Sequence, residues 1–261
     1  MIGRPLYVAT LAGLAVLAAA EHRADAYHES AVHLEPRLWF PSLSAEVQSS
    51  SDAVAGDVIT DTDLDLDDPV SPGGVVTLRV GRHSLRVEGF GLSTDGDTRI
   101  DRTFSFAGRT YTVNSRVESE FDATVAGADY GFDVVQTGPL ALGLTLGARV
   151  VDAEARLRAP ELGFDSESEV RAVVPAVGAF LVAHPAPVPP FSSLALTLRV
   201  SGFTIGDRGE YLDVEGAAEW LPIPVLALRV GYRFVHGKGE EDDDRGEFDL
   251  AGPYVGLTLA F

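Results

Sequence analysis

Hydrophobic and polar positions alternate along most of the chain. In "VLALRVGYRF" (Val225 to Phe234), Leu226, Leu228, Val230, Tyr232 and Phe234 share one parity, and Val225, Ala227, Arg229, Gly231 and Arg233 share the other. A strand turns successive side chains to opposite faces, so this segment has one continuous apolar face and one of small residues with two arginines. The motif recurs at Thr77 to Val80, Ser84 to Val87 and Thr197 to Val200. Period-2 stretches bounded by turn residues predict ten strands: near Val32 to Val47, Gly74 to Val80, Ser84 to Leu92, Arg109 to Val135, Leu140 to Leu157, Glu169 to Ala183, Phe191 to Thr204, Tyr211 to Leu221, Val225 to His236 and Glu247 to Phe261.

The connections alternate between two kinds. Short ones fall at Gly81 to His83, Gln136 to Pro139, His184 to Pro190 and Pro222 to Pro224. Longer polar ones fall between Glu46 and Pro72, Ser93 and Gly108, Arg158 and Ser168, Ile205 and Glu210, and Gly237 and Gly246. Short turns at one end and long loops at the other, on an even number of strands, is the pattern of transmembrane barrels. The segment from Arg109 to Val135 is too long for one crossing, so its first half is expected to form, with Arg102 to Gly108, a hairpin beyond the membrane. The acidic segment Asp57 to Asp68 also alternates and is expected to form a similar extension.

Alternation does not by itself separate a soluble sandwich, apolar inside, from a membrane barrel, apolar outside. The other parity separates them. In "LALGLTLGARV" (Leu140 to Val150) it reads Ala141, Gly143, Thr145, Gly147 and Arg149, small residues suited to a crowded lumen rather than the long charged side chains of a solvated face. Charges of both signs share that parity: Glu35, Arg37, Arg79, Arg86, Glu88, Asp129, Asp133, Arg149, Arg199, Asp213, Glu215, Glu219, Arg229 and Arg233. Unpaired charge in a narrow interior is costly, whereas a hydrogen-bonded network is tolerated. A lumen network is therefore expected, with Arg79, Arg149, Arg199, Arg229 and Arg233 paired to Glu88, Asp129, Asp213, Glu215 and Glu219. Trp39, Phe40, Tyr130, Trp220, Tyr232, Phe234 and Tyr254 fall near strand ends, where interfacial girdles form.

Composition narrows the function. A formal charge of −19 opposes binding to nucleic acid. The absence of cysteine excludes disulfides, thiol nucleophiles and cysteine-held metals. Arg4, the apolar run Leu6 to Ala20 and small residues at Ala18 to Ala20 and Ala24 to Ala26 match a secretory signal peptide, so residues 1–26 read as a cleaved signal and 27–261 as a single barrel domain. An uncleaved N-terminal membrane helix is the other reading of that run.

The C-terminal segment "PYVGLTLAF" alternates Val255, Leu257, Leu259 and Phe261 and ends on an aromatic. It resembles the last strand of Gram-negative outer-membrane β-barrel proteins, and the whole chain is similar to the small barrels of the OmpA-transmembrane, OmpW and OmpX groups. It departs from full-length OmpA in leaving no chain for a peptidoglycan-binding domain. The resemblance implies an all-β, antiparallel, up-and-down transmembrane β-barrel of about ten strands, or eight with extramembrane hairpins, in the outer membrane. It also implies outer-membrane lipids and lipopolysaccharide as surroundings, and the barrel assembly machinery as a partner reading Tyr254, Leu257, Leu259 and Phe261.

No catalytic or metal constellation emerges, and no cofactor is expected. The mature histidines are His28, His33, His83, His184 and His236; His236 with Asp207 or Asp213 is the one loose candidate, outweighed by its reading as a loop histidine. Asp61 to Asp68 lacks the glycine and terminal glutamate of a calcium loop and reads as solvated charge. The expected function is a non-enzymatic structural or surface-interaction barrel with a plugged lumen. A narrow solute channel and a lipid-modifying enzyme or protease are the alternatives.

Overall fold

The computed structural model describes residues 31–48, 57–101, 103–106, 109–185, 193–204, 206, 209–223, 225–241 and 244–261; residues 1–26, expected from sequence to be a signal, lie outside these. In chain order the strands are β1 (Val32–Trp39), β2 (Ser42–Gln48), β3 (Val58–Thr60), β4 (Ser71–Val80), β5 (His83–Arg99), β6 (Phe104–Phe106), β7 (Arg109–Tyr111), β8 (Arg116–Gln136), β9 (Leu140–Ala159), β10 (Phe164–Ala183), β11 (Leu194–Thr204), β12 (Gly209–Ile223), β13 (Leu226–Glu241) and β14 (Asp244–Ala260). Ten of them run antiparallel in the order β1-β4-β5-β8-β9-β10-β11-β12-β13-β14, and β14 returns to pair with β1. Closure of this kind leaves no sheet edge in the hydrocarbon, the condition a spanning β-structure must meet.

The apolar parity faces outward. Leu144, Leu146, Leu198, Leu228 and Val230 are 43 to 63% exposed, whereas Arg149 and Arg233 on the other parity are 2% and 3% exposed. On β9 the outward row runs Leu140, Leu142, Leu144, Leu146, Ala148 and Val150, the length of one tilted crossing, before Asp152 begins a charged stretch. Phe40, Tyr130 and Tyr232 lie on the outer surface as expected of a girdle. Trp39 and Tyr254 do not: they share the inward parity and are 3% and 1% exposed.

The long connections are largely strand. β5, β8, β9 and β10 continue past the membrane belt and make a four-stranded extension, with register continuous as far as Arg99↔Arg116 and Ala159↔Phe164. The inner face of that extension carries Val117, Leu157 and Phe164, which pack with Ile59, Ile100, Phe104, Phe106 and Tyr111. Burial of these side chains explains why polar-looking segments stay in the sheet: each large apolar group removed from water contributes about 1.5 to 3 kcal/mol. β6 and β7 form the small hairpin expected near Arg102, but β8 begins after it, at Arg116. The first predicted strand is two, β1 and β2, separated at Phe40-Pro41. Pro41 brings no N–H to a ladder, and β2 pairs with the upper part of β14 instead.

The acidic run does not alternate as a strand. After β3 it makes one helical turn, Asp61–Leu64, and Asp65 takes φ of 51°. Most of its described carboxylates are exposed, and three of them accept backbone N–H groups. Asp61 Oδ1 accepts from Ala45 N at 3.0 Å, Asp68 Oδ1 from Leu43 N at 3.4 Å, and Asp57 Oδ2 from Ser105 N at 2.8 Å.

Candidate functional site: the lumen

The barrel interior is filled in layers. Among the described residues of the membrane-spanning part, the inward parity carries seven arginines (Arg37, Arg79, Arg86, Arg149, Arg199, Arg229, Arg233) and seven carboxylates (Glu35, Glu88, Asp129, Asp133, Asp213, Glu215, Glu219). Their charges cancel. An isolated ion there would be expelled by desolvation, and mutual pairing within hydrogen-bond reach is what makes burial affordable.

Glu215, on β12, is the hub. It accepts from Arg37 at 2.9 Å, Arg229 at 2.9 Å, Arg86 at 3.4 Å and the Tyr254 hydroxyl at 2.9 Å. Glu88 on β5 is a second hub, with Arg86 at 3.0 Å, Arg233 at 3.1 Å and Arg149 at 3.4 Å. Arg149 also grips Asp129 through both terminal nitrogens at 2.8 Å, and Arg233 holds Asp213 at 2.7 Å. Arg229 reaches Glu219 at 3.3 Å, while Arg37 closes on Glu35 at 2.7 Å. These contacts cross between β1, β5, β12 and β13, so the network ties opposite walls together rather than decorating one strand.

Two of the sequence-predicted lumen residues stand apart. Arg79 meets Asp133 at 3.4 Å near the short-turn end, away from both hubs. Arg199 forms no ion pair with a described residue; its guanidinium lies 5.0 Å above the Phe180 ring. In register Arg199 is opposite Glu215, but that carboxylate is already taken by three arginines and a tyrosine. Between Arg199, Arg86, Glu88, Asp129 and Arg149 is a cavity of about 20 Å³, room for roughly one water.

Tyr254 and Trp39 belong to this site, although position along the strand suggested the girdle. Arg229 Nε donates to the Tyr254 hydroxyl at 3.0 Å, and Trp39 Nε1 donates to Gly252 O at 3.1 Å. The signal that identifies Tyr254 is parity: Val255, Leu257 and Leu259 face lipid, so Tyr254 cannot. Small residues make the room. A side chain at Gly127 would collide with Arg149, and one at Gly231 with the Tyr254 ring.

Above the charges is an apolar layer of Trp39, Phe90, Leu92, Val125, Tyr211, Val235, Leu250 and Tyr254. Arg233 joins the two layers, 4.8 Å from the Phe90 ring and 5.6 Å from that of Trp39. With the Phe104–Tyr111 cluster above it and a small cluster of Leu221, Ala227 and Ala260 at the short-turn end, the described lumen holds four successive fillings.

Contacts place two of the histidines, His83 and His236. His236 pairs with Asp249 at 2.8 Å, not with Asp213, which is engaged by Arg233 and Tyr211; Asp207 lies outside the described residues. His236 shares the outward parity with Tyr232 and Phe234, so its pair with Asp249 faces away from the lumen. His83 binds the Tyr130 hydroxyl at 2.6 Å on the outer surface at the opposite end. Leu257 and Phe261 are on the outer surface, 37% and 69% exposed, and Leu259 shares their parity.

No protein-family model matches the chain, and no curated protein matches it in sequence. Solved structures are similar in fold. The outer membrane protease OmpT of Escherichia coli matches 88% of this chain and 97% of its own, with 10% identity and a TM-score of 0.51. The transport unit of the autotransporter AIDA-I from Escherichia coli matches 93% and 97%, at 9% identity and a TM-score of 0.46. The translocator domain of the autotransporter NalP from Neisseria meningitidis matches 98% and 98%, at 11% identity and a TM-score of 0.41.

Proposed function

We propose that this outer-membrane β-barrel is closed to solutes and serves a structural or surface-interaction role, its lumen sealed by the arginine–carboxylate network and the apolar layers above it. The observation that carries this reading is the double hub of Glu215 and Glu88, which binds five arginines drawn from β1, β5, β9 and β13 across the bore. A wide aqueous pore needs a rim of screened charges around open water. Here the charges around Glu215 and Glu88 are buried and, Arg199 apart, paired, and they are followed by a second barrier of aromatic and aliphatic side chains.

A hydrolytic reading would need a base and its orienting group facing a bound substrate. The His236–Asp249 pair on the outward parity does not support one. Lipid and lipopolysaccharide are the expected contacts of the outward apolar belt, and assembly through Tyr254, Leu257, Leu259 and Phe261 is part of the same proposal, with Tyr254 acting before its ring is enclosed.

The test is electrical. Purified barrel in planar bilayers should give no steady conductance, because the paired charges and the apolar layer above them fill the bore. Stable, ion-selective single-channel currents would overturn the reading in favour of a narrow channel.

A further inference from the structure

Strand β10 rises past its neighbour. It pairs with β9 along its whole length, Phe164 to Ala183, but β11 meets it only from Val177 to Ala183. Between Phe164 and Ala176 its other side forms no ladder, and no further backbone hydrogen bond joins that side to a described residue. The far edge of the same four-stranded extension is treated differently. There Asp67 N donates to Asp95 O at 3.3 Å, so the acidic turn covers β5. One edge is thus partly covered by the chain itself, whereas the other pairs with none of the described residues between 164 and 176.

An open edge presents alternate N–H and C=O groups to any extended chain that can lie beside it. Its flanking side chains restrict which chain that is. Val170, on the inward parity, is 57% exposed, and Val173 on the outward parity is 70% exposed. The outer face of β5, β8, β9 and β10 beyond the membrane belt carries ten carboxylates (at 95, 97, 118, 120, 122, 152, 154, 165, 167 and 169) against five arginines (at 99, 116, 156, 158 and 171). Glu167 is held by Arg156, but Glu169 forms no ion pair with a described residue, and its direct cross-strand neighbour is Glu154.

We propose that residues 164–174 of β10 accept an extended segment of a partner protein by strand addition, the segment alternating basic and apolar side chains. The basic row meets Glu167 and Glu169 on the outer face; the apolar row covers Val170 and Val174 on the inner one. Pro175, which brings no N–H, ends the docking edge at the membrane side. A second copy of this chain fits poorly, because antiparallel pairing about Ser168 sets Glu167 against Glu169, like charge opposite like charge.

The experiment uses the whole protein in detergent and a fluorescent decapeptide of alternating Lys and Val. Saturable binding is expected, together with slowed amide exchange between residues 165 and 174. The same peptide N-methylated at every second residue should bind at least about tenfold more weakly, since it cannot complete the ladder. E167K/E169K should lower affinity for the unmodified peptide by about tenfold, with heat-modifiable mobility checking that the variant is folded. Equal binding of the two peptides, or unchanged exchange at 165–174, would overturn strand addition. Unaltered affinity in the folded E167K/E169K protein would overturn the basic partner. Protection of 165–174 in the peptide-free protein, with sedimentation as a dimer, would overturn it in favour of self-pairing.

Discussion

Truncation of Arg229 separates a sealed lumen from a wet one. The residue is 8% exposed, and its guanidinium donates to four acceptors: Thr197 Oγ1 and Glu215 Oε1 at 2.9 Å, the Tyr254 hydroxyl at 3.0 Å and Glu219 Oε2 at 3.3 Å. In Arg229→Ala the consequences differ by partner. Glu215 keeps Arg37 and Arg86, so it remains compensated. Glu219, 5% exposed, has no other ion pair among the described residues and is left as a buried, unpaired carboxylate. Removing one partner of a well-buried pair costs about 3 to 5 kcal/mol, whereas an exposed pair in water is worth under about 1 kcal/mol. Urea unfolding of the refolded barrel in lipid, followed by tryptophan fluorescence, measures the difference at fixed m-value. Arg229→Ala with Glu219→Ala should recover part of the loss, because the stranded charge is then gone. A cost under 1 kcal/mol for the single variant, or no recovery in the double, would show the carboxylate to be hydrated and the sealing argument to be wrong.

Arg199→Ala should cost less than Arg229→Ala, about 1 to 2 kcal/mol, because it forfeits a ring contact rather than an ion pair; the same urea assay ranks the two. Leu144→Arg, on the lipid face at 59% exposure, should destabilise by about 2 to 4 kcal/mol if midway across the bilayer, and Cys at 144, 198 or 228 should react with a lipid-soluble reagent and resist a water-soluble one. Deleting Phe261 should lower the yield of heat-modifiable barrel in the outer-membrane fraction. On the extension, hydrogen bonding to Arg116 holds the Asp97 carboxyl below its usual 3.8, and on the upper part of β14 Arg245 holds Glu247 below 4.5. The stabilisation from these lowered values is complete above the ordinary carboxylate range and is lost as pH falls through the depressed values. NMR titration of the two side chains should show both midpoints shifted down and returning toward normal in high salt, since the pairs are exposed.

Parity was the legible part of this chain. Because strand side chains alternate strictly, the seven arginines and seven carboxylates could be assigned to one face from sequence, and the same face is the inward one here. Partners were less legible. Arg199 sits opposite Glu215 in register, yet the bore is narrow enough for Arg37, from β1, to reach that carboxylate across 178 residues of sequence. Which cation wins is decided by barrel curvature, a property no local pattern carries. Tyr254 was misplaced when its nearness to a strand end outweighed its parity. The extension is less legible for a different reason: Ser, Asp and Glu in 93–99 and 164–168 read as loop by composition. Their strands are held by long-range pairing and by one buried face that includes Val117, Leu157 and Phe164.

A ten-stranded barrel must fill a bore wider than one side chain can cross, and the choice of filling is constrained by the bilayer. In the belt, the apolar parity is already committed to lipid, so the inward parity must differ from it; a one-residue slip would otherwise exchange the two faces at little cost. Charged inward positions make that slip prohibitive, since it would place Arg149 or Arg229 in hydrocarbon. Beyond the belt the outward face is solvated and carries its own charges, so apolar side chains can be turned inward, as they are at Val117, Phe121 and Leu157. The chemistry of the filling thus changes along β8 and β9 because the solvent outside changes: Arg149 and Asp129 beneath the aromatic layer, Leu157 and Val117 above it, on the same parity of the same two strands.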